Sequence, residues 1–195
     1  MKSGRDPFAV PAGRLARLAR LGSLASGVAG GMLAEGARQL GQGRRPKISD
    51  LLLTPANARR VAEQLASVLR AWGMSEEHVQ AAVPMILYAD IAGIDSHGIG
   101  MLPTYHAWRG KGWIDMQPVI RVESDGPTTA LVDGGGSLGH VPARLAMQLA
   151  IDKCRKMGIG AVAVRNSTHF GAAGAYAALA SEAGFVGLAT TSAVS

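Results

Sequence analysis

Three short apolar runs rich in β-formers, TTALVDG, GIGAVAVRN and FVGLATT, follow one another from Thr128, and helical patterning fills the gaps. Ala143, Met147, Ala150, Ile151 and Cys154 recur at the spacing of one helical face between the first two runs. Strand, helix, strand, helix, strand in that order predicts an α/β fold. A strand that leads through a helix into the next strand closes a right-handed crossover and pairs in parallel. Open α/β sheets bind ligands at the C-terminal ends of their strands, so the loops after the runs are the places to look for chemistry. The last run reaches Ser195. A sheet of so few strands keeps at least one bare edge, so the chain is expected to be cut short or to need a partner to cover it.

Upstream the pattern is helical. Thr54-Pro55 has the form of an N-cap followed by proline at the first helical position, and Ala58, Val61, Leu65 and Val68 then line one face. A second helix is expected from Ser75-Glu76-Glu77, whose acids suit a positive helix end, with Val79, Val83, Ile86 and Leu87 on its apolar side and Pro84 bending it.

Charge divides the chain. Met1 to Ser67 holds 11 Lys/Arg against 4 Asp/Glu, whereas Val68 to Ser195 holds 9 against 10. The basicity therefore belongs to the first third, and the average does not mark a nucleic-acid binder. That first segment carries Arg14, Arg17 and Arg20, then Gly22, Ser26, Gly30 and Ala34 one per four positions. It reads either as a helix that another helix can approach closely or as a flexible basic arm. The 14 uncharged residues between Arg20 and Glu35 fall short of the roughly 20 that span a bilayer. Cys154 is the single cysteine, which excludes an intramolecular disulfide and a cysteine-built zinc site and favours a reducing, cytoplasmic setting.

Three segments could carry chemistry. Asp133 to His140, DGGGSLGH, lacks the ending of a phosphate-binding P-loop and reads as a tight glycine turn into a helix, with His140 at the surface. Asp90 to Tyr105, DIAGIDSHGIGMLPTY, sets Asp95, Ser96 and His97 side by side. Consecutive side chains rarely converge, so this is expected to be a helix-ending turn whose His97 meets groups from elsewhere. Arg165 to Tyr176, RNSTHFGAAGAY, places His169 after a strand and before a helix opened by small residues. Those residues would let a ligand reach the helix-end N–H groups, or they are small for packing and His169 merely caps them. No set of histidines and carboxylates has the spacing of a metal site.

These motifs together resemble a known family. YADIAGIDSHGIGMLP, VDGGGSLGHVPARLAMQLAIDKC, GIGAVAVRNSTHFGAAGAYA and EAGFVGLATT, from about Leu69 to Ser195, are similar to the N-terminal part of the malate/L-lactate dehydrogenase family of NAD(P)-dependent oxidoreductases. The resemblance implies N-terminal helices followed by a partial β-α-β-α-β domain of the non-Rossmann, nicotinamide-binding type, and a homodimer with the site near the interface. It implies oxidation of 2-hydroxy acids, or reduction of the corresponding keto or imino acids, with NAD or NADP. Ser96 and His97 match the family's Ser-His pair, and His169 matches a histidine assigned to acid/base work in some members and to the cofactor in others. His169 with Phe170, Gly171, Ala172 and Ala173 corresponds to the cofactor-contacting turn. An imidazole suits the proton that leaves the hydroxyl as hydride leaves its carbon.

Two positions depart from the pattern. Met101 and Thr104 stand where several relatives offer arginine, in the first case as a clamp for the substrate carboxylate. The family also continues well beyond this length, so the expectation is a dehydrogenase that is inactive on its own if 195 residues is the true full length. The stretch from Pro11 to Val68 resembles instead the entry region of UbiB/AarF-type atypical kinase-like proteins, without their nucleotide-binding residues. The expected organisation is thus a basic helical segment over 1–67, a helical part with the SHG motif over 68–127, and a partial cofactor domain over 128–195. A fusion relic or interaction module with a basic arm is the alternative to an enzyme.

Overall fold

A computed structural model describes residues 55–192. The basic arm, the small-residue helix and the kinase-like resemblance up to Thr54 lie outside the described residues.

Helix α1, Pro55–Ala71, opens at the expected proline and runs without a break across Val68-Leu69. Helix α2, Glu76–Ile91, starts where Ser75 accepts the N–H of His78 at 3.3 Å, with Glu76 and Glu77 in its first turn. The helix continues through Pro84. Leu65 and Leu69 of α1 pack on Val79, Val83 and Ile86 of α2, all 2 % exposed or less. Each such side chain stabilises the fold by about 1.5–3 kcal/mol relative to exposure. Two single 3-10 turns, Asp95–His97 and Ile99–Met101, lead into helix α3, Leu102–Gly110, which delivers Tyr105 to the same core.

The α/β part holds strands β1, Arg121–Asp125, β2, Thr129–Ser137, and β3, Ala161–Ser167. Helix α4, His140–Met157, joins β2 to β3, and the two strands pair in parallel as the crossover requires. Helix α5, Ala173–Glu182, follows β3. The sheet order is β1-β2-β3, with β1 antiparallel to β2.

Three expectations need correction. Residues 185–191, FVGLATT, form no strand, and Val186 and Leu188 are 101 % and 86 % exposed. Strand geometry is held by a paired neighbouring strand, and that run pairs with none among the described residues. The third strand is β1, whose sequence RVESD is exposed throughout and carries no apolar alternation. The glycine segment is no tight turn. It continues β2 to Ser137, with the register shifting between Asp133 and Ser137 where Gly135 and Gly136 adopt φ of 60° and 73°.

Candidate active site

The first histidine loop is anchored from below by Asp90, a fully buried carboxyl in the last turn of α2. Its Oδ2 accepts the N–H of Ile99 at 2.9 Å, which ties the loop carrying Ser96 and His97 to the helix. Gly98 makes this possible, because a Cβ there would sit 2.0 Å from Oδ1 of Asp90. Burial pushes the Asp90 carboxyl up to about 6; the Ile99 N–H opposes that rise and Asp95 adds to it. On the turn itself Ser96 Oγ and His97 Nδ1 lie 2.8 Å apart. The two neighbours therefore do converge, against expectation. The tight turn folds the serine hydroxyl back onto the adjacent ring.

The second histidine loop is pinned to the end of β2. The N–H of Thr168 and its hydroxyl both donate to Ser137 O, at 3.1 and 3.0 Å, and the N–H of Gly139 donates to His169 O at 3.1 Å. Gly139 must lack a side chain, since a Cβ would come within 2.2 Å of Thr168 O. Beyond His169, the ring of Phe170 stacks on Tyr176 at 5.2 Å, and the Tyr176 hydroxyl donates to the Phe170 carbonyl. Gly171 turns the chain with φ of 74° into α5.

These loops meet. The His97 and His169 rings have centroids 5.3 Å apart, and Tyr105, buried on α3, places its hydroxyl 2.8 Å from Nδ1 of His169. Burial lowers the His169 pKa, and the neighbouring His97 lowers it further. His140 packs edge-on to Tyr105 at 5.8 Å and lies 6.4 Å from His169. It is fully buried with neither ring nitrogen hydrogen-bonded, a correction to its expected surface position. The close approach of Gly139 to the second loop draws the start of α4 inward and takes His140 with it. Burial, and then His169, lower the His140 pKa to about 3, so the ring is neutral at ordinary pH.

The expected site residues thus divide. Ser96, His97 and His169 come together. Phe170 is engaged with Tyr176, while Gly171, Ala172 and Ala173 form the entry to α5, whose first turn has no side-chain cap. Uncapped N–H groups there can receive an anionic or carbonyl ligand. His97, His169, Gly171, Ala172, Ala143 and Met147 line one open groove. No group of three or more His, Cys, Asp or Glu among the described residues could hold a metal ion. Sequence reading gave no role to Tyr105 or Asp90 and set His140 at the surface. Tyr105 closed a motif already singled out, but the 64 residues that separate it from His169 left no spacing to read.

The chain that carries these loops has counterparts among known proteins. The family model for malate/L-lactate dehydrogenase matches residues 56–195, reaching back before the expected start at Leu69, and the chain belongs to that family. A malate dehydrogenase of Pyrococcus abyssi is 44 % identical over 124 residues, covering 64 % of this chain and 34 % of the relative. An L-sulfolactate dehydrogenase of Methanocaldococcus jannaschii is 37 % identical over 141 residues, covering 72 % and 40 %. The solved structure of malate dehydrogenase from Pyrococcus horikoshii superposes with a TM-score of 0.62 at 38 % identity, covering 65 % of this chain and 36 % of that one. The chain spans 34 % to 40 % of the length of the two relatives. No helix among the described residues is long and apolar enough to cross a membrane.

Proposed function

We propose that this chain carries part of the site of an oxidoreductase that interconverts a 2-hydroxy acid and its 2-keto acid with NAD or NADP, in a homodimer. The observation that carries the reading is the meeting of His97 and His169, from separate loops, at 5.3 Å on the groove beside the uncapped start of α5. That helix end suits a nicotinamide cofactor, because its first turn has no side-chain cap and Gly171, Ala172 and Ala173 bring only small side chains to the groove there. The cofactor, when bound, supplies the acceptor or donor of hydride.

The residues of the chain do the rest. Ser96 orients the His97 ring through Nδ1 and leaves Nε2 to meet the substrate hydroxyl. His169, partly buried and with its pKa lowered, stays neutral beside it. Met101 packs against the helical core at the position where the family resemblance implies an arginine, so the substrate carboxylate needs another partner. Arg165 also lines the groove, but its guanidinium is held by Glu123 and Asp133. The relatives named for malate and sulfolactate set the first substrates to try.

The test is a fluorescence titration of the 195-residue chain with NADH and with NADPH. A saturable change with one of them, weakened about tenfold or more in His169→Ala, is expected. No saturable change with either would favour a non-enzymatic module instead.

A further inference from the structure

His169 receives two contacts on one ring atom. The backbone N–H of Gly171 reaches its Nδ1 at 3.4 Å, and the Tyr105 hydroxyl lies 2.8 Å from the same nitrogen. A backbone N–H only donates, so Nδ1 is an acceptor, and the hydroxyl, free to rotate, turns its own proton to the same atom. Burial raises the Tyr105 phenol well above its ordinary value, so that proton stays on oxygen. A neutral imidazole that accepts at Nδ1 carries its hydrogen on Nε2. Both of these contacts fall on Nδ1 and neither engages Nε2, and the ring lines the groove.

We infer that Tyr105 is a positioning residue: with the Gly171 N–H it fixes His169 as the Nε2–H tautomer, which presents a hydrogen-bond donor to an oxygen of the bound 2-hydroxy or 2-keto acid. Proton exchange with the ligand then falls to the Ser96–His97 pair. A ring that accepts at Nδ1 and already holds a proton at Nε2 has no lone pair left to act as base. The inference rests on the proposed dehydrogenase site for its ligand, but the tautomer itself does not. Tyr105 is held for this task, since its ring is fully buried between Trp108, at 6.1 Å and 53°, and His140, at 5.8 Å and 77°.

Long-range proton–nitrogen correlation NMR on the 195-residue chain, labelled with nitrogen-15 at its five histidines, reads the tautomer directly. At mildly alkaline pH, with His169→Gln used to assign the signal, His169 should show a protonated Nε2 and a bare Nδ1. Tyr105→Phe should move that pattern toward a mixture of tautomers. Uniform 3-fluorotyrosine, which strengthens the phenol as a donor while adding only the small volume of fluorine over hydrogen, should shift the His169 Nδ1 resonance more than any His97 resonance. This labelling decides the matter if Tyr105→Phe does not fold. A proton on Nδ1 in the unaltered chain, or a His169 signal indifferent to fluorotyrosine, overturns the inference. Absence of nicotinamide binding with the Nε2–H pattern present would defeat the dehydrogenase reading alone. The reverse pair of results would defeat the tautomer alone.

Discussion

Gly98 and Asp90 form a lock in which the absence of a side chain matters as much as the presence of one. A methyl group at position 98 would overlap the buried carboxylate, so either the loop or the helix end must move. Gly98→Ala should cost about 2–3 kcal/mol in urea unfolding and pull His97 away from His169. A cost below about 0.5 kcal/mol would mean that the loop is not held against Asp90. His140 gives a pH signature. Its folded pKa lies far below the unfolded value of 6.5, so on acidification the unfolded chain takes up a proton that the folded chain refuses. Its stabilising share is therefore complete above about pH 6.5 and is lost as pH falls toward 3. Asp90 works in the opposite sense. Raised from 3.8 to about 6, it binds its proton more readily when folded, so its share shrinks as pH rises through that window. Comparing the native chain with His140→Leu by denaturant titration cancels the Asp90 effect. The native chain should lose about 2 kcal/mol relative to the variant between neutral pH and about pH 5. A difference independent of pH would show that His140 is open to water. None of this was legible beforehand, because a histidine opening a helix after glycines looks like a surface residue until the neighbouring loop is known.

At the level of elements, α4 is tied to the β1–β2 connection by Lys153, whose ammonium donates to Asp125 and, at 2.8 Å, to Gly126 O. Asp125 is 62 % exposed, so water screens the attraction, and what the lysine mainly contributes is the packing of its stem. Lys153→Met should accordingly cost no more than about 1 kcal/mol, whereas Lys153→Glu, burying a like charge beside Asp125, should cost about 3 kcal/mol or more. Equal losses in thermal unfolding would contradict that division. The helices and the β2–α4–β3 crossover could be read from the sequence because caps, apolar periodicity and β-rich runs all agree there. Strand β1 could not. Its five residues are all exposed, and it is recruited by pairing with β2 rather than by any pattern of its own. The opposite error arose at FVGLATT, where β propensity is high and the described chain supplies no neighbour to pair with.

Over the whole described molecule, the helical core is closed while the α/β part stays open on one side. Ile159, Val186 and Leu188 are 64 %, 101 % and 86 % exposed, all beside the groove of the paired histidines. Apolar surface of this kind binds hydrophobic dyes and promotes association. The 195-residue chain should enhance the fluorescence of anilinonaphthalene sulfonate, and the double change Val186→Asp, Leu188→Asp should remove most of that signal without altering the helical circular dichroism. A chain that leaves the dye dark would mean that this surface is covered in solution. The site residues were legible as motifs because each is local, but their meeting depends on glycines that let separate loops approach within hydrogen-bonding range.

The mixed sheet has a direction of growth. Its interior strand already has both flanks taken, and on one side the boundary is a bulged five-residue segment bearing Arg121, Glu123 and Asp125, charges that repel an added backbone. On the other side β3, AVAVRNS, begins with small and branched residues and ends at the histidine loop. A strand added to this sheet would meet fewer charges along β3 than along β1. Because β3 lines the groove and ends at the histidine loop, a strand added there would lie beside the cleft, and a change in size at that edge would be a change in specificity as well.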